Sequence, residues 1–395
     1  MQESENEETC LPSTGVKTQH NSNVASKEHC LKNNSSNEQE DGSTCNDHNQ
    51  SIRPGVCGLV NIGNTCYMNS ALQCLSSTPE LRDYFYQLYH SLNDNSDNNI
   101  VNAFANIIYH IWSGRNEIYD PSTVKISLGK YTSRFKSYMV EDAHEFLNSL
   151  LNCLDENLHD KLCSSTTNII KDLFHSEMSS TIICDKCKTS TTSIESIKFL
   201  PQPIPHNNDK QAPINIEACI NLYIKPDKLG LLTCLKCGKQ ENTVQTFGLY
   251  SLAKILFIQL KRFKFYAKPP HQNKITSYIG YPIENLDLTN YVRIAQQNDS
   301  ISLPTYNLVA VSVRSGSLGS GHYVTYALNE KDSQWYHFND TFASRLDKTQ
   351  SHTRRVWGRV SFYCFKIHTP HTHPCPGQEF CCTTSEDSFG SRVGL

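Results

Sequence analysis

The sequence of 395 residues is poor in hydrophobic side chains and contains no long apolar run. Hydrophobic residues make up 38% of the chain, which predicts polar segments outside a folded core. No run of about 18 apolar residues suggests a membrane span, and the acidic start Met1–Thr9 does not resemble a secretory signal. The net charge of −3 provides no basic field that would attract nucleic acid or an anionic membrane. We therefore expect neither among the partners.

Cysteine, by contrast, is abundant, with an odd total of 17 residues. In a chain without a recognisable secretory signal, so many cysteines are better explained by metal sites and catalysis than by disulfides. We therefore expect an intracellular protein, in the cytoplasm, the nucleus or both.

Composition divides the chain into three parts. Residues 1–52 are rich in Asn, Ser, Glu and Gln, and residues 368–395 show no usable periodicity. Neither segment can bury enough apolar surface to offset the entropy lost on ordering, so both are predicted to be disordered tails. The stretch between them, residues 53–367, is predicted to form one globular domain.

Helical periodicity dominates the first part of this domain, and strand patterns dominate the later part. Apolar residues recur at helix spacing in residues 100–112 and 143–158, with Asp142 as the predicted cap of the second helix. The run KILFIQL at residues 254–260 predicts a strand that is buried on both faces. Helices followed by strands indicate an α+β fold.

Cys66 is a candidate nucleophile. Gly63 and Asn64 suit a tight turn, and Asn64 or Thr65 can cap a helix that places Cys66 in its first turn. The unpaired amides and the dipole at a helix start favour a thiolate, which is the form that attacks carbonyl carbons. From these residues alone, the alternative is a buried, inert cysteine, which is a common environment for a free thiol.

A cysteine nucleophile needs a histidine base and a third group that orients the imidazole. His322 begins an alternating strand after a glycine-containing loop, and Asn339 and Asp340 end a second strand. A hairpin of these two strands would bring the three residues together. Either Asn339 or Asp340 suits the orienting role, and a simple turn is the alternative explanation for this pair.

Four further cysteines form two C-x-x-C pairs, Cys184 with Cys187 and Cys234 with Cys237, with 46 residues between the pairs. Four thiolates can build a closed tetrahedral site with no position left for chemistry. The pairs therefore predict one structural zinc ion. Four free thiols are the alternative.

The segment around Cys66, GLVNIGNTCYMNSALQCL, resembles the cysteine box of the ubiquitin-specific proteases almost residue for residue. GHYVTY and the later WYHFND resemble the histidine box of the same family. By position, the resemblance implies that Cys66 is the nucleophile, that His322 is the general base, and that Asn339 occupies the place of the orienting residue. Asp340 supports or replaces that residue in some members, so either of the two can orient the imidazole. The resemblance also implies that Asn61 donates to the oxyanion of the tetrahedral intermediate.

The resemblance covers residues 55–367 and implies a papain-like cysteine protease fold with a helical thumb, a β-rich palm and zinc-binding β fingers. The fingers would be an insertion at about residues 170–250, in which the cysteine pairs clamp the tips of extended strands.

Three further positions relate to substrate recognition. The segment VEDAHEFL resembles the family's QQDAHEFL, which implies that Asp142 holds the backbone of the ubiquitin tail. Gly321, directly before the base, is expected to contact the same tail. Arg314 stands where many members carry histidine or asparagine, on the loop that flanks the tail channel.

These resemblances together imply a thiol-dependent deubiquitinase that hydrolyses isopeptide and peptide bonds at the C-terminal glycine of ubiquitin. Ubiquitin and ubiquitinated proteins are the expected partners, and we expect a monomer. One alternative is a catalytically weak or inactive ubiquitin-binding pseudoenzyme, for which Asn339 and Arg314 give some reason. A pure zinc-ribbon interaction module would leave both catalytic motifs unexplained. A ubiquitin-like modifier stays open as the substrate.

Overall fold

A computed structural model describes residues 52–92, 99–159, 168–205, 214–267, 270–292, 305–317, 320–346 and 360–368. The predicted tails, 1–52 and 368–395, lie outside these residues except for Ile52 and His368.

The helices in the described residues are α1 (Cys66–Ser76), α2 (Pro79–Ser91), α3 (Ile100–Trp112), α4 (Ser122–Tyr131), α5 (Ala143–His159), α6 (Ile169–Phe174) and α7 (Ile216–Ile224). The strands are β1 (Gly58–Leu59), β2 (Ile118–Tyr119), β3 (Ser176–Cys184), β4 (Ser190–Ile197), β5 (Phe199–Pro203), β6 (Ile214–Asn215), β7 (Asp227–Thr233), β8 (Gln240–Ser251), β9 (Ile255–Lys261), β10 (Phe263–Ala267), β11 (Pro270–Lys274), β12 (Ile279–Gly280), β13 (Tyr306–Gly316), β14 (Gly321–Asn329), β15 (Gln334–Asn339), β16 (Phe342–Arg345) and β17 (Val360–Ile367). Short 3-10 helices cover Ser133–Lys136 and Thr289–Tyr291. Within these ranges no helix is long and apolar enough to cross a membrane.

The helical half of the domain forms where the sequence pattern predicts helices. α5 begins at Ala143 because the Asp142 carboxylate accepts hydrogen bonds from the backbone amides of His144 (2.8 Å) and Glu145 (3.4 Å). The apolar residues of α5 are buried, and the helix packs against α1 and α3. α3 covers the residues predicted from the spacing of 100–112. Both helix predictions are confirmed.

Seven strands form the large sheet, in the order β16-β15-β14-β13-β17-β9-β5. Neighbouring strands are antiparallel except β5 and β9, which run parallel. On β9, Phe257 belongs to the core beneath the helices, whereas Ile258 belongs to a second core that includes residues of α7. The prediction of a strand buried on both faces is therefore confirmed.

Four strands form a separate antiparallel sheet, in the order β4-β3-β8-β7. Strand β3 ends at Cys184, and the connection between β7 and β8 contains Cys234 and Cys237. This sheet lies within the predicted insertion at about residues 170–250, whose boundaries stay a prediction.

α1 is attached to the large sheet by buried hydroxyl groups as well as by apolar packing. The Oγ atoms of Ser70 and Ser312 lie 2.8 Å apart, and Thr325 Oγ1 donates to the backbone carbonyl of Ser70 at 3.0 Å. All three residues are buried. Because these groups satisfy one another away from water, they fix α1 against β13 and β14.

Candidate active site

Cys66 is the first residue of α1 and is only 3% exposed. The turn before it uses left-handed backbone at Gly63 (φ +112°) and Asn64 (φ +52°), as the sequence predicts. Thr65 occupies the cap position, but its side chain makes no capping hydrogen bond. Instead, Asn61 Oδ1 accepts hydrogen bonds from the backbone amides of Gly63 (3.2 Å) and Thr65 (3.0 Å). The turn is thus organised by Asn61.

The environment of the thiol raises the pKa of Cys66 above its ordinary value. Burial is the main cause, and the negative charge of Asp340 acts in the same direction. Hydrogen bonds from the backbone amides of Tyr323, Tyr67 and Cys66 itself lower the pKa without reversing the effect of burial. The amides at the helix start therefore act in the expected direction, but burial outweighs them.

His322 and Asn339 are brought together by the hairpin of β14 and β15. The two strands are antiparallel, with Thr325 opposite Phe338, and His322 Nε2 lies 2.7 Å from Asn339 Oδ1. In this geometry Nε2 donates to the amide oxygen, so Nδ1 is the ring nitrogen that is left to act as a base. β14, which carries His322, also packs against α1, whose first residue is Cys66.

Asp340 has different neighbours from Asn339. Its carboxylate accepts hydrogen bonds from Asn61 Nδ2 (2.9 Å) and Asn69 Nδ2 (2.8 Å). Its backbone, at φ +49°, accepts from the amide of Leu59 at 2.7 Å. The geometry therefore separates the two candidates that the sequence leaves open, because Asn339 contacts the imidazole and Asp340 contacts Asn61.

The Asn61 side chain is held at both of its polar atoms. A side-chain amide has two N–H donors, of which one binds Asp340, while Oδ1 accepts from the amides of the turn. Asn69, one helical turn after Cys66, shares the same carboxylate and also donates to the carbonyl of Val60 at 3.2 Å. Sequence reasoning missed Asn69, although its place inside the cysteine motif was a signal.

Asp142 has two structural contacts in addition to any substrate role. Its carboxylate caps α5, and it also accepts a hydrogen bond from the Tyr323 hydroxyl at 3.1 Å. The same hydroxyl accepts from the amide of Ala143 at 3.3 Å. Tyr323 was missed by sequence reasoning, although its place inside the histidine motif GHYVTY was a signal. Both residues line a cleft of about 560 Å³ between the helices and the large sheet.

A second cleft, of about 700 Å³, adjoins the histidine and includes Gly321, Met139 and Asn64. A Cβ atom at Gly321 would lie 2.8 Å from the carbonyl oxygen of Ser315 and 2.9 Å from Arg314 Nε. The position therefore has no room for a side chain. Arg314 itself is 4% exposed, and its guanidinium lies over the rings of Phe263 (5.1 Å) and Tyr323 (5.5 Å). It forms part of the wall of the first cleft.

The four predicted metal-ligating cysteines meet at the tip of the four-stranded sheet. The sulfur atoms of Cys184, Cys187, Cys234 and Cys237 all lie within 4.8 Å of one another. The two turns are built alike, because the amide four residues after each first cysteine donates to the carbonyl of that cysteine at 2.9 Å. The left-handed residue that this turn requires is Lys188 in one knuckle and Gly238 in the other. This cluster can hold a metal ion.

Comparison with known proteins agrees with this geometry. The family model described as ubiquitin carboxyl-terminal hydrolase matches residues 57–363. Ubiquitin carboxyl-terminal hydrolase 2 of Bos taurus is 31% identical over 339 residues, which cover 77% of this chain and 54% of the relative. The protein of the same name from Gallus gallus is 31% identical over 343 residues, covering 78% of this chain and 93% of the relative. The chain thus spans about half the length of the mammalian relatives it matches.

Among solved structures, the SAGA DUB module of Ubp8, Sgf11, Sus1 and Sgf73 bound to monoubiquitin contains a similar chain. The TM-score is 0.67 at 23% identity, over 81% of this chain and 70% of the other. At this identity the likeness shows the fold alone, and it confirms the predicted α+β fold class. The family model covers more than half of the sequence, and the resemblance to ubiquitin-specific proteases is confirmed. The chain therefore belongs to the ubiquitin carboxyl-terminal hydrolase family.

Proposed function

We propose that this chain is a thiol-dependent deubiquitinase, which hydrolyses isopeptide and peptide bonds at the C-terminal glycine of ubiquitin. The observation that carries the proposal is the packing of α1, which begins at Cys66, against the β14–β15 hairpin, in which His322 Nε2 lies 2.7 Å from Asn339 Oδ1. Membership of the family supports the same activity. Nucleophile, base and orienting group are the parts that acyl transfer by a cysteine enzyme requires.

Each residue has a defined task in the proposed reaction. The Cys66 thiol gives its proton to His322 Nδ1, and the sulfur attacks the carbonyl carbon of the terminal glycine. His322 then returns that proton to the leaving amine, and a thioester with ubiquitin remains. Water attacks the thioester with His322 as the base, which releases the ubiquitin carboxylate and restores the thiol. Asn339 keeps the imidazole oriented through the 2.7 Å hydrogen bond to Nε2.

Asn61 is proposed to stabilise the oxyanion that forms in both steps. Its Oδ1 is fixed by the amides of the turn and one N–H is fixed by Asp340, which aims the second N–H. A donor that is already oriented before the reaction needs no reorganisation as charge develops. Asp340 therefore supports catalysis through Asn61 in this scheme.

The proposed path of the ubiquitin tail runs through the two clefts. Asp142 lines the cleft between helices and sheet, and Gly321 lines the cleft beside His322. Since Gly321 has no room for a Cβ atom, the wall of the cleft at this position consists of backbone atoms. A narrow channel of this kind accepts the two glycines that end ubiquitin and excludes bulkier residues.

We further propose that the four-cysteine cluster binds one structural zinc ion. Zinc–sulfur bonds of about 2.3 Å in a tetrahedron separate the sulfur atoms by about 3.8 Å. The Sγ atoms of Cys187 and Cys234 are 3.6 Å apart, and all four fall within 4.8 Å. The residues therefore fit the ion, which would join the β3–β4 turn to the β7–β8 turn. It would supply stability to the fingers and no chemistry to the active site.

The proposed partners are ubiquitin, or a ubiquitin-like modifier, and the proteins that carry it. We also propose a monomer, and the small net charge of −3 supports the proposal that neither nucleic acid nor a membrane is a partner. An intracellular location, in the cytoplasm or nucleus, is supported by the free thiols of the cysteines in the described residues. The alternative of a ubiquitin-binding pseudoenzyme is not favoured, because Cys66, His322 and Asn339 are all present and His322 is hydrogen-bonded to Asn339.

Incubation with ubiquitin that carries a thiol-reactive C-terminal group tests the proposal. We expect one covalent adduct with the wild type and none with Cys66→Ala. Cys74→Ala is the matched control, since Cys74 lies on the same helix and is fully buried, and this variant should be labelled normally. Labelling of Cys66→Ala, or none of the folded wild type, would contradict the assignment of the nucleophile.

A further inference from the structure

Lys125 on α4 is a buried lysine with an unusual set of contacts. The residue is 6% exposed, although lysine is rarely buried without a partner. Its Nζ donates to the backbone carbonyls of Phe135 (2.7 Å) and Ser137 (2.6 Å) and lies 5.1 Å from the centre of the Tyr138 ring. Burial lowers the pKa of Lys125, and the charge of Glu141 opposes that change. One ammonium group thus contacts three residues of a single segment.

That segment, residues 133–140, joins α4 to α5 and borders the active site. It begins with the 3-10 helix Ser133–Lys136 and continues to Met139 and Val140, which line the cleft beside His322. Residues 137–140 contain no helix or strand, so the backbone of the segment depends on side chains such as Lys125 for its hydrogen bonds.

Tyr138 connects the segment to the turn before the nucleophile. Its backbone carbonyl accepts a hydrogen bond from Asn64 Nδ2 at 2.9 Å. Its ring packs on Gly63, where an added Cβ atom would lie only 2.9 Å from Tyr138 Cδ1. Gly63 and Asn64 have left-handed backbone, a conformation that needs support from its surroundings when the residue is not glycine.

We propose that Lys125 is a positioning residue for catalysis, which acts through Tyr138 on the turn that carries Asn61 and precedes Cys66. The chain of contacts runs from the ammonium group to the Tyr138 backbone and ring, then to Gly63 and Asn64, and ends at the start of α1. The part of this inference that concerns turnover rests on the proposed deubiquitinase function. The part that concerns the order of the turn does not.

The test compares Lys125→Met, which keeps the aliphatic stem and removes the donors, with Lys130→Met. Lys130 lies on the same helix and is exposed, so the control removes one positive charge of α4 at the surface. Hydrogen exchange, measured by mass spectrometry on peptides that cover residues 61–66, reports the order of the turn without any substrate. Turnover of a ubiquitin-amide fluorogenic substrate reports kcat and KM separately.

We expect Lys125→Met to speed exchange in residues 61–66 and to lower kcat by about 10- to 100-fold, as small displacements of reacting groups do. Lys130→Met should change neither. Tyr138→Ala should reproduce both effects, and the double variant should be no worse than the more severe single one, because the two residues act in series.

Unchanged exchange at residues 61–66 in Lys125→Met, or additive effects on kcat in the double variant, would overturn the proposal. If Lys125→Met does not fold, Tyr138→Ala decides, since Tyr138 is 63% exposed and its replacement leaves the core intact. Normal exchange in that variant would refute the connection. If the wild type shows no turnover at all, the proposed function fails while the exchange measurement still decides the role of Lys125.

Discussion

Replacement of Asn339 by alanine is the most direct test of how the proposed base works. The substitution removes the only side-chain hydrogen bond that the described residues provide to the His322 ring, from Nε2 to Asn339 Oδ1 at 2.7 Å. Without it, the imidazole can rotate or adopt the other tautomer, and Nδ1 is no longer held ready for the thiol.

The expected loss follows from the strength of that hydrogen bond. A hydrogen bond to a group that becomes charged, as the imidazole does when it takes the thiol proton, contributes about 1.5–3 kcal/mol. Since each 1.36 kcal/mol is a factor of ten in rate, this range corresponds to about 10- to 150-fold. Asn339 is half-buried, so water partly replaces the lost bond, and we expect kcat to fall about 10- to 30-fold.

Steady-state turnover of a ubiquitin-amide fluorogenic substrate measures this loss, and Asp340→Asn provides the matched control. Asparagine keeps the shape of the side chain and tolerates the left-handed backbone at φ +49°. Its amide nitrogen cannot accept a hydrogen bond, however, so it cannot replace both carboxylate oxygens that accept from Asn61 and Asn69. We expect a smaller loss of kcat for Asp340→Asn, and also for Asp340→Ala, than for Asn339→Ala. The double variant Asn339→Ala/Asp340→Ala should be the most severe.

Two results would refute the reasoning. Full activity of the double variant would remove both residues from the mechanism. A greater loss from Asp340→Asn than from Asn339→Ala would show that alignment of the oxyanion donor matters more than orientation of the base.

Three further predictions follow from the same structure. Elemental analysis should find one zinc ion per chain. Chelation of the metal, or Cys234→Ser, should lower the melting temperature because structural zinc contributes to the free energy of folding. An unchanged melting temperature after removal of the metal would contradict this prediction. Because burial raises the pKa of Cys66, the fraction of Cys66 present as thiolate is small at neutral pH. Alkylation of Cys66 by iodoacetamide should therefore accelerate as the pH rises through that raised pKa. A rate that is already maximal at pH 7 would contradict the raised pKa. Tyr323→Phe deletes a buried hydroxyl that contacts Asp142 and the Ala143 amide. Urea unfolding should show that the free energy of unfolding falls by about 1–2 kcal/mol. An unchanged free energy of unfolding would show that water takes over those contacts.

Much of the fold is readable from the sequence because its signals are local. The helix spacing in residues 143–158 and the Asp142 cap define α5, since both depend on residues within a few turns of one another. The same holds for β9, whose continuous apolar run reflects burial on both faces. The order of strands in the large sheet is not readable in this way, because pairing of β17 with β9 and β13 joins residues far apart in the chain.

The sequence by itself identified the family, the proposed nucleophile and base, and the two cysteine pairs, because each of these is recognised from a short motif. Only the tertiary structure decided how Asn339 and Asp340 differ. Two adjacent residues are equivalent candidates until the backbone conformation sets the direction of each side chain. Here the left-handed backbone of Asp340 directs its carboxylate to Asn61, whereas the side chain of Asn339 contacts His322. Only the tertiary structure shows that burial outweighs the helix-start amides at Cys66, because desolvation depends on atoms brought in from distant parts of the chain, which no local pattern records.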